Sequence, residues 1–234
     1  MSLKIALLLV FATASLLSAN NCHADTYTET GDAGQLPGTA QVTTTLLGPT
    51  TALTSIVGQT TLTNEIADAD MYEIFISGVM TFTASTTAFV PGANDFDDQL
   101  SLFNSSGVGV LTNDDSAAGG DQASLSSAGT TLTPGDYYLL ISGSGNYPVN
   151  SASGLIFHNY TDGTTDASGT YAPTGVAGAI TGYTGNSNYA GNYTIAIGGA
   201  QFANFSLVPE PSTVAAVIAG FGGLALVLRR RRSS

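Results

Sequence analysis

Between residues 53 and 207 no apolar run keeps a 3.6-residue period long enough for a helix; the runs are short and change side at every second residue. In MYEIFIS, Tyr72, Ile74 and Ile76 alternate with Met71, Glu73 and Phe75. In MTFTAS, Met80, Phe82 and Ala84 share one side and threonine and serine the other. The pattern continues through QLSLFN, GVGVLT, DYYLLISG, GLIFHN, NYTIAIGG and AQFANFS, with Gly, Asn, Asp and Pro in the breaks. Each run is expected to bury one face and wet the other, as antiparallel strands do. Ser106–Gly107 and Pro134–Gly135 carry turn chemistry at two of the breaks. Many short strands with regular turns predict an all-β fold, an antiparallel β-sandwich of jelly-roll-like form.

Charge is segregated along the chain. All five basic residues, Lys4, Arg229, Arg230, Arg231 and Arg232, lie near the ends, whereas Asp25 to Val208 holds sixteen of the seventeen Asp and Glu and no Lys or Arg. That stretch cannot form a Lys or Arg salt bridge and repels phosphate backbones, which excludes nucleic acid as a partner. Its carboxylates are left to water, solvent cations or a bound divalent ion.

Both ends read as processing segments. Residues 1–24 have the form of a secretory signal, with Lys4 ahead of the apolar stretch Ile5 to Leu17 and Cys22-His23-Ala24 before an expected cut after Ala24; a cut after Ala19 is the second choice. Cys22 is the single cysteine, and Asn20 and Asn21 stand where lipid attachment needs small residues. The mature chain is therefore expected to have neither disulfide nor thiol nucleophile. At the other end, Ser212 to Leu228 is uncharged and apolar or small, and four arginines follow. Seventeen helical residues span about 25 Å, near the lower limit for a bilayer core, so a C-terminal transmembrane helix over 212–228 is expected. Arg229, Arg230, Arg231 and Arg232 are expected to stay on the cytoplasmic side.

Pro209, Glu210 and Pro211 precede that helix. Pro-Glu-Pro, an uninterrupted apolar helix and an arginine cluster over 229–232, in that order within 208–234, resemble the PEP-CTERM sorting signal of exported bacterial proteins. The resemblance implies recognition by an exosortase in the inner membrane and delivery to the cell envelope, cell surface or extracellular matrix, in the company of exopolysaccharide or biofilm. Two prolines hold the segment extended and accessible to a membrane enzyme.

The remaining chain divides into a Thr-rich arm or edge strand over 25–52 and a sandwich domain over 53–207. Within the latter, 144–188 is rich in Gly, Ser, Thr and Asn and is expected as a long surface excursion or ragged hairpin. DADMYEIFISG, FDDQLSLFNSSGVGVLTNDDS and LTPGDYYLLISG, over Asp68 to Gly143, resemble the bacterial pre-peptidase C-terminal domain, a β-sandwich appended to secreted enzymes and found in surface proteins. Asp68, Asp70, Asp97, Leu100, Leu102, Gly107, Asn113, Asp114, Asp115, Gly135 and Tyr138 carry the likeness. The long insert and the missing peptidase depart from it.

Asp95, Asp97 and Asp98 precede one strand; Asn113, Asp114, Asp115 and Asp121 follow the next. If QLSLFNSSGVGVLT is a hairpin, Gln99 returns beside Thr112 and the two groups converge. Carboxylate and amide oxygens suit Ca2+, which takes six to eight oxygen ligands in irregular geometry. DFDDQLSLFNSS is no EF-hand, having Leu at the turn-glycine position and Ser in place of the final Glu. The alternative is that these residues cap turns and face water.

No catalytic motif is present, and the chain is read as non-enzymatic. His158 would be the only histidine of the mature chain, too few for a zinc site and with no distinguishable Ser and Asp partners for a triad. A carbohydrate-binding module is the principal alternative, with Tyr147, Tyr160, Tyr171, Tyr183 and Tyr189 offering faces for sugar rings. A weak hydrolase, or an accessory domain of one, is the third reading.

Overall fold

A computed structural model of the chain describes residues 24–48, 50–63, 66–86, 97–116, 121–158, 169–176 and 178–205. The signal segment before Ala24, Asp95, and the whole sorting tail lie outside these residues. In that tail are the Pro209, Glu210 and Pro211 motif, the expected helix over 212–228, and the cluster of Arg229, Arg230, Arg231 and Arg232. The described residues are all-β and contain no helix long and apolar enough to cross a membrane.

The strands are β1 (Ala24–Thr28), β2 (Gln41–Val42), β3 (Thr44–Thr45), β4 (Ala52–Gln59), β5 (Leu62–Thr63), β6 (Ile66–Ala67), β7 (Ala69–Ile76) and β8 (Thr83–Thr86). They continue with β9 (Asp98–Asn104), β10 (Gly109–Asn113), β11 (Ser124–Ser126), β12 (Gly135–Gly143), β13 (Tyr147–Val149), β14 (Gly182–Thr184), β15 (Asn192–Phe202) and β16 (Asn204–Phe205). The main sheet runs β1-β4-β15-β7-β12-β9-β10 and is not closed, with β8 pairing both β15 and β11 off that path.

β15 joins two groups of strands. Its first half, Ile195 to Gly198, pairs with β8, and its end, Ala200 to Phe202, pairs with β7. Between them, its register against β4 shifts between Ala196 and Ala200. Gly198 and Gly199 sit in that bulge. Gly199 has φ +76° and a Cβ there would stand 2.5 Å from the Thr81 carbonyl oxygen, so the close approach requires a residue without a side chain.

Alternation places the main core. Tyr72, Ile74 and Ile76 of β7 join Leu100 and Leu102 of β9, Leu139 and Ile141 of β12, and Ile56, Phe82, Leu125 and Ile195 in one buried cluster. Each fully buried aliphatic side chain contributes about 1.5 to 3 kcal/mol. The expectation that every run wets its other face is corrected here: Met71, Phe103 and Leu140, on the opposite faces of β7, β9 and β12, are also buried. The residues that cover them, Ile156, Phe157 and Ile180, belong to the insert. The Phe103 and Phe157 rings meet edge-on, 5.6 Å between centroids. The described part of the insert thus packs against the sheet, and β13 pairs antiparallel with β14 across it.

Three further expectations change. GLIFHN forms only an isolated bridge, Leu155 to Val149, and His158 lies outside any strand. β8 starts at Thr83, so Phe82 and Ala84 are buried while Met80 is exposed beside Val79 on the preceding loop. The pairing is not purely antiparallel: β1 runs parallel to β4, β2 to β7 and β16 to β3. A parallel pair needs a long crossover, and the 23 residues between Thr28 and Ala52 supply one for the arm.

Candidate metal centre

β10, β9 and β12 are neighbours in the sheet, so residues flanking one set of their ends come together. Asp97 precedes β9, Asp114 and Asp115 follow β10, and Ser144 follows β12. Gly143 pairs with Asp98, and the Ser144 amide donates to the Asp97 carbonyl at 2.9 Å. The Asn104 side chain fixes the connecting turn by accepting from the amides of Ser106 and Val108. Thr112 lies opposite Ser101 rather than Gln99, and the hairpin register shifts between Gly109 and Leu111. Gln99 Nε2 nevertheless donates to Thr112 Oγ1 at 3.2 Å.

Asp97, Asp114 and Asp115 each offer a carboxylate oxygen within 4.8 Å of the others. Asp114 is 5% exposed; its Oδ2 accepts from Ser144 Oγ at 3.1 Å, while its Oδ1 has no hydrogen-bond donor. Oδ1 of Asp97 and Oε1 of the buried Gln99 are also without donors. A buried oxygen without a donor is costly, the more so when ionised, and two carboxylate oxygens and one amide oxygen at one end of neighbouring strands match what a hard cation would satisfy. Burial, aided by the Asp97 charge, pushes the Asp114 carboxyl up to about 7, against the lowering effect of Ser144. Burial and the charges of Asp115 and Asp121 bring Asp97 to about 6.

The other residues grouped by sequence lie outside this close trio. Asp98 is buried, but its Oδ1 accepts from Thr86 Oγ1 at 2.9 Å and from the Ala123 amide at 3.0 Å. Asp98 is not among the three carboxylates whose oxygens lie within 4.8 Å of one another. Burial pushes Asp98 up to about 8. Asn113 spends its amide on the backbone: Oδ1 accepts from Ser124, and Nδ2 donates to the carbonyls of Asp115 and Gly169 at 2.8 Å each. Asp121 is exposed, and its carbonyl accepts from the Asp98 amide. Asp95 is outside the described residues. Ser144 is an addition to the sequence-derived set, through its hydrogen bond to Asp114.

The described tyrosines named for sugar stacking serve mainly in packing. Tyr147 is buried, the half-buried Tyr183 donates to the Gln35 carbonyl at 2.5 Å, and Tyr171 exchanges backbone hydrogen bonds with Thr112. Tyr160 lies outside the described residues. Tyr189 is the exposed tyrosine among those that are described. No family model matches the chain, and no curated protein matches it.

Proposed function

We propose that this chain is an exported, non-enzymatic protein of the cell envelope or extracellular matrix. Its β-sandwich, jelly-roll-like in having two strand groups joined through β15, holds a Ca2+ ion between Asp97, Asp114 and Asp115. The observation that carries the ion site is the buried, donorless Oδ1 of Asp114 within a carboxylate cluster. No Lys or Arg between residues 5 and 228 is available to neutralise that cluster. A divalent cation supplies the charge the sequence withholds, and it would tie β9, β10 and the start of the insert together.

Delivery rests on the tail, where Pro209, Glu210 and Pro211, the apolar stretch 212–228, and Arg229, Arg230, Arg231 and Arg232 follow the order of a PEP-CTERM signal. Signal peptidase and an exosortase are the processing partners, the inner membrane holds the chain transiently, and exopolysaccharide is the proposed surrounding. Intact-mass measurement of the chain from a host with and without its exosortase tests this. The tail should be lost only when the exosortase is present; a tail retained in both hosts contradicts the sorting reading. The sugar-binding alternative is left with Tyr189 as its exposed described platform.

A further inference from the structure

A second group of carboxylates sits where the N-terminal arm meets the start of β7. Glu29 immediately follows β1, Asp32 stands three residues further on, and Asp70 is the second residue of β7. The parallel pairing of β1 with β4 carries the arm there, and the Glu29 amide extends it by donating to the Val57 carbonyl at 2.9 Å. A carboxylate oxygen of each of the three acids lies within 4.8 Å of the others. Glu29, Asp32 and Asp68 also border a cleft of about 420 Å3.

The hydrogen bonds around this group are well defined but incomplete. Glu29 Oε1 accepts from the Ala33 amide at 3.0 Å and Oε2 from the Gln59 amide at 2.8 Å. Asp32 Oδ1 accepts from the Gly34 amide, and Asp68 accepts from the amide and hydroxyl of Thr61. Asp70 is 1% exposed. Its Oδ2 accepts from the Tyr193 hydroxyl at 2.7 Å, and its Oδ1 has no donor. Since Tyr193 gives its one proton to Asp70, Tyr72 must donate to Tyr193 across their 2.5 Å contact, which aligns the whole chain toward a carboxylate. The protein alone leaves the ionised form unsatisfied, and no Lys or Arg lies between residues 5 and 228.

We propose that Glu29, Asp32 and Asp70 form a second site for a hard divalent cation of the Ca2+ type, independent of the Asp97–Asp114–Asp115 site, which fastens the N-terminal arm to β7. The donors are all oxygens, and each carboxylate keeps lone pairs beyond those given to amides and hydroxyls. Water at the open side of the cleft completes the shell. The ion offsets the mutual repulsion of Glu29, Asp32 and Asp70 and gives the buried Oδ1 a partner.

Equilibrium dialysis of the purified full chain against Ca2+ tests the proposal, with site-specific variants separating it from the first site. The wild type should bind two ions per chain. Asp70→Asn, which keeps an acceptor for Tyr193, should bind one, and that ion should persist in Asp32→Asn with affinity at the second site weakened about tenfold or more. Asp32 is exposed, so this variant tests the site even where Asp70→Asn disturbs folding. Asp114→Asn should remove the other ion, and Asp70→Asn/Asp114→Asn should bind none. If both Asp70→Asn and Asp32→Asn keep the wild-type stoichiometry and affinities, the second site is overturned, whatever Asp114→Asn does. Loss confined to Asp114→Asn leaves the first site standing alone, and loss confined to the other two leaves the second.

Discussion

Ser144 Oγ donates a 3.1 Å hydrogen bond to Asp114 Oδ2, joining the residue after β12 to the residue after β10 across the intervening end of β9. The second oxygen of that carboxylate has no donor, although Asp114 is buried. One half of the carboxylate is therefore held in place by the fold while the other half is left for a ligand. The consequences can be measured in the absence and in the presence of Ca2+.

Stability without metal should fall as the solution becomes more alkaline. Burial raises Asp97 to about 6, Asp114 to about 7, and Asp70 and Asp98 to about 8, all above the free value of 3.8. The folded state therefore holds these protons more tightly, and the stability they confer, complete below about pH 4, is lost as pH rises through about 6 to 8. Urea midpoints in EGTA should be lower at pH 8 than at pH 5, and saturating Ca2+ should narrow the gap because it binds the ionised forms. A midpoint that rises toward pH 8 in EGTA contradicts this.

Asp114→Asn should change sign with the metal. In EGTA at pH 8 the substitution removes a buried, repelled charge and should raise stability by about 1 to 3 kcal/mol. In saturating Ca2+ the wild type should be the more stable of the two, because the variant loses the ion's contribution. Paired urea titrations decide it; a variant less stable under both conditions would point to a purely structural role for the carboxylate.

Phe157→Ala should destabilise the chain as a core substitution does, by about 3 to 5 kcal/mol. Phe157 is 2% exposed and packs against Phe103 on the outer face of the sheet. Were the insert a loose excursion, the loss would be near zero. Denaturant unfolding of the variant distinguishes the two.

Gly199→Ala should cost about 2 kcal/mol or more, from the left-handed φ of +76° and from the approach of the new Cβ to the Thr81 carbonyl. Gly31, with φ +71° and open space around its Cβ position, serves as the control and should lose only the conformational part. Thermal unfolding of both variants compares the terms.

The strands were legible because the main-core residues of β7, β9 and β12 fall at every second position, and Ser106–Gly107 marks the β9–β10 turn where the chain makes it. The convergence of Asp97 with Asp114 and Asp115 followed from that hairpin. Asp98, grouped with them by its place in the sequence, has its Oδ1 taken up by the Thr86 hydroxyl and the Ala123 amide. The packing of the insert on the sheet was not legible, for a different reason. Ile156, Phe157 and Ile180 have no mutual periodicity, and their common contact with Met71, Phe103 and Leu140 is purely tertiary. Glu29, Asp32 and Asp70 were invisible for the same reason: the arm's parallel pairing with β4 brings them together across some forty residues, and no local pattern encodes that.

Calorimetric titration of Ca2+ into the wild type and Asp114→Asn at pH 8 bears most directly on the proposed ion-stabilised sandwich. The wild type should release or absorb heat at a site that Asp114→Asn lacks, and its melting temperature should rise further with Ca2+ than the variant's. Identical heats and identical melting shifts in the two proteins, or none in the wild type, would contradict it.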